Sequence, residues 1–212
     1  MRLVETAAVA VAGKGARVTL NTVVPGVLSV AAALPDPPFE FGSVEQPAGF
    51  DIDLTRAIAR ELGLTWRLAP FTGTDFNGIF GELGNRADVV ASGATITPAR
   101  SAAADFCAPY LSSGQALACA PARTPALRST ADLVGRTLGV QDGNTSQPVA
   151  ERLRAAGQLG AVRVYAYDAI GTMLDDLEAG RIDAVMKLAP VLHWLIRARP
   201  ALRPLEVRNG DG

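Results

Sequence analysis

"ADVVASGATITPAR", residues 87–100, runs from a short apolar strand into a loop holding a glycine, two threonines, a proline and an arginine. A loop that only reverses the chain does not need an arginine at its far end. This one is suited to hold something small and negatively charged. Gly93 lets the backbone approach a ligand closely. Thr95 offers a hydroxyl and an N–H. Arg100 offers a planar fork that matches a carboxylate in two parallel hydrogen bonds.

Outward from this stretch the chain alternates strand and helix patterns. Upstream, "VLSVAAA" (27–33) reads as a strand, and the prolines at 35, 37 and 38 keep "PDPPFEF" out of any helix. "FDIDLTRAIARELG" (50–63) is an amphipathic helix with Leu54, Ile58 and Leu62 every four residues. Asp51 or Asp53 can cap its start and Gly63 its end. "LTWRLA" (64–69) is a strand, "DFNGIFGELG" (75–84) a short helix, and "ADVVAS" (87–92) a buried strand. Downstream, "GQALACA" (114–120) is extended, "TLGV" (137–140) a strand, and "SQPVAERLRAAG" a helix with Pro148 in its first turn. "VRVYAY" is a strand, "AIGTMLDDLEAG" (169–180) a helix capped by Asp168, "IDAVMKL" (182–188) a strand and "PVLHWLIRAR" a last helix. This order predicts a parallel-rich α/β architecture. "LGNRADVVAS" and "EAGRIDAVMK" echo each other, which suggests two similar lobes, residues 26–117 and 118–212.

The chain has 212 residues, a net charge of -1 and 49% hydrophobic residues, enough for a sizeable core. The balanced charge shows no basic footprint for nucleic acid, and 6% aromatics argue against a stacking surface for single strands. No apolar stretch is long enough to span a bilayer. With two cysteines (Cys107, Cys119) and one histidine (His193) a zinc site lacks ligands. The cysteines read as small buried apolar residues, with a disulfide as the alternative. His193 reads as one position on a helix. Residues 1–25 are an extension of unclear role. Glu5 and the short apolar run Ala7–Ala12 do not make a clear signal peptide, no cysteine stands nearby for a lipid anchor, and a hairpin around Gly13–Gly15 fits as well.

In α/β sheets ligands sit beyond the carboxyl ends of strands. "LPDPP", "SGATITPAR" and "QDGNTSQ" occupy such positions. In the last, Gly143, Asn144, Thr145 and Ser146 precede a helix, whose free N–H groups favour an anion. One such loop is an ordinary turn with a helix cap; one per lobe suggests a carboxylate clamped between them.

"GFDIDLTRAIARELG", "ASGATITPARSAAADFCAPYLSSGQAL", "LGVQDGNTSQ" and "LEAGRIDAVM" together resemble the type II periplasmic solute-binding proteins of the amino-acid ABC-transporter class, over about residues 26–199 in the same order. The resemblance implies two α/β lobes that close on a ligand, the periplasm or outer cell surface, a monomer, an ABC permease as partner, and neither cofactor nor metal. It implies that Arg100 holds the ligand α-carboxylate, helped by Gly93, Thr95 and, from the second lobe, Thr145. Phe76 would be an aromatic wall, and Gln141 and Asn144 polar contacts. Two departures touch the amine-binding half of the site. The family carries an acidic residue after the second-lobe strand, where "DAVMKLAP" places Leu188 beside Lys187. Asp36 stands where the family often has an aromatic residue. Either Asp36 takes the ligand's amine, or the ligand is an amine-free acid paired with Lys187; a solvated strand-end lysine is the plainer reading of Lys187. The chain also stops before the family's return to the first lobe, so the fold is expected to be shortened at its C-terminal part. Two rival functions remain: a cyclohexadienyl (prephenate or arogenate) dehydratase-like enzyme, for which Asp36 would be the one carboxylate at hand, and the sensing domain of a receptor.

Overall fold

The computed structural model describes residues 5–8 and 20–205, and the hairpin expected around Gly13–Gly15 lies outside them. The chain divides into two compact units. The first comprises the described residues of Glu5–Thr72 and Asn77–Ser112, the second those of Gly73–Phe76 and Ser113–Gly212.

In the first unit, β1 (Glu5–Ala8) is followed by β2 (Val27–Ala32), the short pair β3 (Phe41–Gly42) and β4 (Pro47–Ala48), helix α1 (Phe50–Glu61), β5 (Thr65–Pro70) and β6 (Val89–Val90). The one-turn helix α2 (Pro98–Ser101) and β7 (Pro109–Ser113), which pairs with β1, complete it. β2 is the centre of a parallel sheet of order β5-β2-β6. Val30, Ala31 and Ala32 are fully buried, as a central parallel strand covered on both faces requires, so this run is apolar without alternation.

The packing of α1 differs from its apparent periodicity. Its buried positions are Asp51, Ile52, Thr55 and Ala59, while Leu54, Ile58 and Leu62 are half-buried along the margin. Neither Asp51 nor Asp53 caps the helix: the N-cap is Gly49, with no side-chain cap. Asp51 is turned into the protein instead, and Asp53 stays outside, 3.7 Å from Arg56. Two other expectations are corrected. "DFNGIFGELG" forms a 3-10 helix, Phe76–Glu82, because two glycines in seven residues weaken an α-helix. The "ADVVAS" strand shrinks to Val89–Val90. Just before it, the Asp88 carboxylate accepts the N–H groups of Val23 and Ser29, each at 2.7 Å, and its own N–H donates to Ser29 O at 2.8 Å.

The second unit is a five-stranded sheet made of β8 (Gln115–Cys119), β9 (Thr137–Gln141), β10 (Ala161–Tyr165), β11 (Ala184–Leu188) and β12 (Arg203–Leu205), in the order β10-β9-β11-β8-β12. β9 runs parallel to β10 and β11, and β8 antiparallel to β11 and β12. Helices α3 (Ser146–Ala155), α4 (Ile170–Ala179) and α5 (Ala189–Ile196) cover its faces. Strand alternation separates the core into two. Leu117, Cys119, Leu138, Val140, Ala184 and Met186 pack with Ala150 of α3. Ala116, Ala118 and Val185 pack with Met173 and Leu177 of α4 and Leu192 of α5. By the same alternation Lys187 belongs to the face of Val185. Gly73–Phe76, read from the sequence with the first lobe, groups with this unit: Tyr167 N–H donates to Thr74 O (2.7 Å), and Phe76 N–H to Asp142 O (3.3 Å).

The start of α4 is another correction. Asp168 does not cap it; the N-cap is Ala169, without a side-chain bond, after a 3-10 turn at Tyr167–Ala169. Its end follows the expected rule. Gly180 is left-handed (φ 75°) and donates its N–H to Leu177 O at 3.1 Å. Gly180→Ala should therefore destabilise the protein by about 1 kcal/mol. Gly171→Ala, in the first turn of the same helix with open space where the methyl would go, should be neutral or stabilising by up to about 1 kcal/mol. Urea denaturation of the two variants checks this opposite pair.

Cys107 and Cys119 remain thiols, Cys119 with no exposed surface, so the disulfide alternative does not hold. His193 is exposed on α5. Among the described residues no helix is long and apolar enough to cross a membrane, and no cluster of His, Cys, Asp or Glu is placed to hold a metal ion.

Candidate functional site

The loop after β6 carries one group of candidates. Ser92 is buried; its hydroxyl accepts the Ala33 N–H at 3.0 Å and donates to the Glu40 carboxylate. Gly93 follows at φ 55°, and a Cβ there would lie 2.9 Å from the Phe39 ring. Only glycine combines that backbone with that closeness. Its N–H donates to Asp51 Oδ2 at 2.7 Å.

Arg100 sits on α2, whose N-cap Thr97 accepts the Arg100 N–H at 3.2 Å. The side chain is 6% exposed. Its Nε donates to Asn77 Oδ1 (3.1 Å), an Nη donates to the Thr95 carbonyl (3.1 Å), and the guanidinium lies 5.5 Å above the Phe80 ring. Asn77, the Thr95 carbonyl and the Phe80 ring thus fix the plane of the fork. Thr95 is buried as well, its carbonyl committed to Arg100.

Asp36 is buried where the chain reverses, its N–H donating to Glu40 O at 2.7 Å. Asp51, fully buried, accepts from Gly93 on one oxygen and from the Tyr110 O–H (2.6 Å) on the other. Burial above all, with a smaller contribution from the negative charge of Asp36, pushes the Asp51 carboxyl up to about 6, against the pull of its two hydrogen bonds. Tyr110 is pushed well above the usual phenol value, chiefly by burial and then by the charge of Asp51.

The second unit holds the other group. Gln141, at the end of β9, is 2% exposed. Its Nε2 donates to the Tyr167 carbonyl, while its Oε1 accepts Lys187 Nζ at 2.8 Å and Asn144 Nδ2 at 3.2 Å. Lys187 is 3% exposed, with Nζ 5.6 Å above the Tyr167 ring. It is therefore not the solvated strand-end residue that its position suggested. Phe76 is buried against Tyr167, with ring centroids 5.1 Å apart. Thr145 is the N-cap of α3 but makes no side-chain cap; its hydroxyl oxygen accepts Gln115 Nε2 at 3.0 Å. Gly143 N–H donates to Gln147 Oε1 at 3.0 Å. Leu188, the position expected to be acidic, is half-buried at the start of α5.

Each unit therefore gathers its own candidates: Asp36, Gly93, Thr95 and Arg100 in the first, Phe76, Gln141, Asn144, Thr145 and Lys187 in the second. Sequence reasoning missed Asn77, Phe80, Asp51 and Tyr110 around the loop, and Gln115 and Tyr167 around the Gln141 cluster. For Asn77 and Phe80 a signal existed, since both lie in the same "DFNGIF" segment as Phe76. Asp51 looked like a helix cap, and nothing local marks Tyr167.

Comparison with known proteins identifies the family. The sequence profile of the bacterial extracellular solute-binding proteins, family 3, matches residues 28–147. The chain is 32% identical over 168 residues to ABC transporter arginine-binding protein 1 of Escherichia coli (strain K12), which covers 78% of this chain and 65% of that protein. It is 32% identical over 163 residues to the L-cystine-binding protein TcyJ of the same organism, covering 76% of this chain and 58% of that one. The chain thus spans less than two thirds of the length of these curated relatives. Among solved structures, an ancestral arginine-binding protein bound to arginine superposes with a TM-score of 0.75 at 32% identity, over 85% of this chain and 78% of that one. The β2-to-α3 region that carries the profile match is the same region that builds the Gly93 loop, Arg100 and the loop before α3, and on these grounds the chain belongs to the bacterial extracellular solute-binding proteins, family 3.

Proposed function

We propose that this protein captures a small carboxylate, an amino acid, outside the cytoplasm and delivers it to an ABC importer. The observation that carries the reading is Arg100: a buried guanidinium aimed by Asn77, Thr95 and Phe80. Such a group is pre-organised for the two oxygens of a carboxylate and loses little entropy on binding. Thr95 adds a polar contact beside it. The resemblance assigns Thr145, Gln141, Asn144 and Phe76 to the same ligand, and Asp36 takes its ammonium. The relatives support the class, since they are named for binding arginine and cystine, and the family is named for binding rather than turnover.

Thermal-shift screening against L-amino acids and amine-free carboxylic acids tests this. A ligand bound only by the folded protein at about 100 times its Kd stabilises by about 2.7 kcal/mol, a shift easily read. At least one amino acid should raise the melting temperature. A panel in which only amine-free acids do so would remove the amino-acid reading.

A further inference from the structure

Asp51 stands behind the candidate loop rather than in it. Its carboxylate joins three elements: it belongs to the first turn of α1, accepts the Gly93 N–H of the loop, and accepts the Tyr110 O–H from β7. Gly93 has little room to adjust, with φ 55° and the Phe39 ring beside it, so the direction of its amide decides how the loop leaves β6. We propose that Asp51 is a positioning residue for ligand binding: its ionised carboxylate, by holding the Gly93 N–H, sets the loop that presents Thr95, and binding weakens when that carboxylate takes a proton. This rests on the reading that the loop carries the ligand.

The physical reason is that a charge-assisted hydrogen bond is roughly twice as strong as a neutral one. The groups around the carboxyl are few. Asp36 faces it from the loop after β2 and Tyr110 from β7; Glu40 acts on Tyr110, and Asp53 of the same helix is exposed beside Arg56. The carboxyl titrates near 6, within a range where protein and ligand are otherwise easily handled.

The fold and the ligand site should then respond to acid in opposite senses. A folded-state value raised from 3.8 to about 6 means that protonation of Asp51 favours the fold. That contribution is full below 3.8 and is lost as pH rises through about 6. Acidification should therefore strengthen the contribution of Asp51 to stability while it weakens the hold on the loop.

The test uses the whole chain, with L-arginine and L-glutamine as probes, because neither changes charge between about pH 5 and about pH 7.5. Affinity is followed by calorimetry and the Gly93 amide by nuclear magnetic resonance without ligand. In the wild type the Gly93 amide shift should titrate with a midpoint near 6, and affinity should fall about fivefold towards acid with the same midpoint. Asp51→Asn should abolish both titrations and leave affinity flat near the acid level. Tyr110→Phe removes a donor that lowers the Asp51 value, so both midpoints should move to higher pH; this variant keeps the test alive if Asp51→Asn fails to fold. A Gly93 amide that does not titrate overturns the proposal. So does an amide that titrates while affinity stays level. If neither probe binds at any pH, the reading of these amino acids as ligands fails, and the positioning role falls with it; that result is distinct from flat but measurable binding.

Discussion

Arg100→Ala should lower ligand affinity roughly 30- to 5000-fold, equivalent to about 2–5 kcal/mol. The size follows from what the variant leaves behind. A ligand carboxylate that has given up water for the guanidinium would be buried without its partner. Arg100→Lys should also bind more weakly, because a single ammonium cannot reproduce the fork and cannot hold Asn77 and the Thr95 carbonyl together. Asn77→Ala is expected between wild type and Arg100→Lys, since it loosens the aim of the fork and keeps its charge. Calorimetry with the ligand found by screening orders the three. Unchanged affinity in both Arg100 variants would remove this residue from the site. The fold should suffer less than binding, by about 1–3 kcal/mol, the cost of leaving the buried Thr95 carbonyl short of a donor.

Asp36→Asn should lower amino-acid affinity at least tenfold and up to roughly a thousandfold, because an ammonium brought into a buried site needs a counter-charge and Leu188 cannot supply one. Stability should hold or rise slightly. Asp36 opposes the ionisation of Asp51, so the variant relieves a like-charge pair in the same unit. The chain reversal at Asp36 uses backbone groups, which asparagine retains. Lys187→Met is the contrasting change. Gln141 Oε1 would keep the Asn144 donor and Nε2 the Tyr167 carbonyl, so the cluster stays largely satisfied and amino-acid affinity should change by less than about threefold. If calorimetry reverses the two, with Lys187→Met damaging and Asp36→Asn neutral or improving, the ligand is an amine-free acid. If neither variant alters affinity, neither residue belongs to the polar half of the site.

Element type and order were legible in the sequence because the parallel strands are buried on both faces and the chain marks their ends with glycine, proline and polar loops. "VLSVAA", "TLGVQ" and "AVMKL" became β2, β9 and β11 within a residue or two. The motifs placed Arg100 on a loop after a parallel strand; the structure puts it on α2, the one-turn helix that follows that loop. What failed were readings of local capping and exposure. Asp51, Asp53 and Asp168 all have the sequence form of helix caps and none acts as one. A cap is favourable by about 1 kcal/mol, a margin that tertiary contacts such as the Gly93 N–H and Tyr110 O–H easily overturn for Asp51.

By itself the sequence determined the α/β class, the succession of elements and the family, all of which rest on local pattern and spacing. Only the tertiary structure decided which donors and acceptors are already taken. It gave the Gly93 amide to Asp51, placed Asn77, Thr95 and Phe80 around the Arg100 fork, and buried Lys187 over Tyr167 against Gln141. These pairings join residues up to 46 positions apart, as between Gln141 and Lys187. Their partners are chosen by how sheets and helices pack, and in a buried site each hydrogen-bonding group that packing commits is one that a ligand must do without.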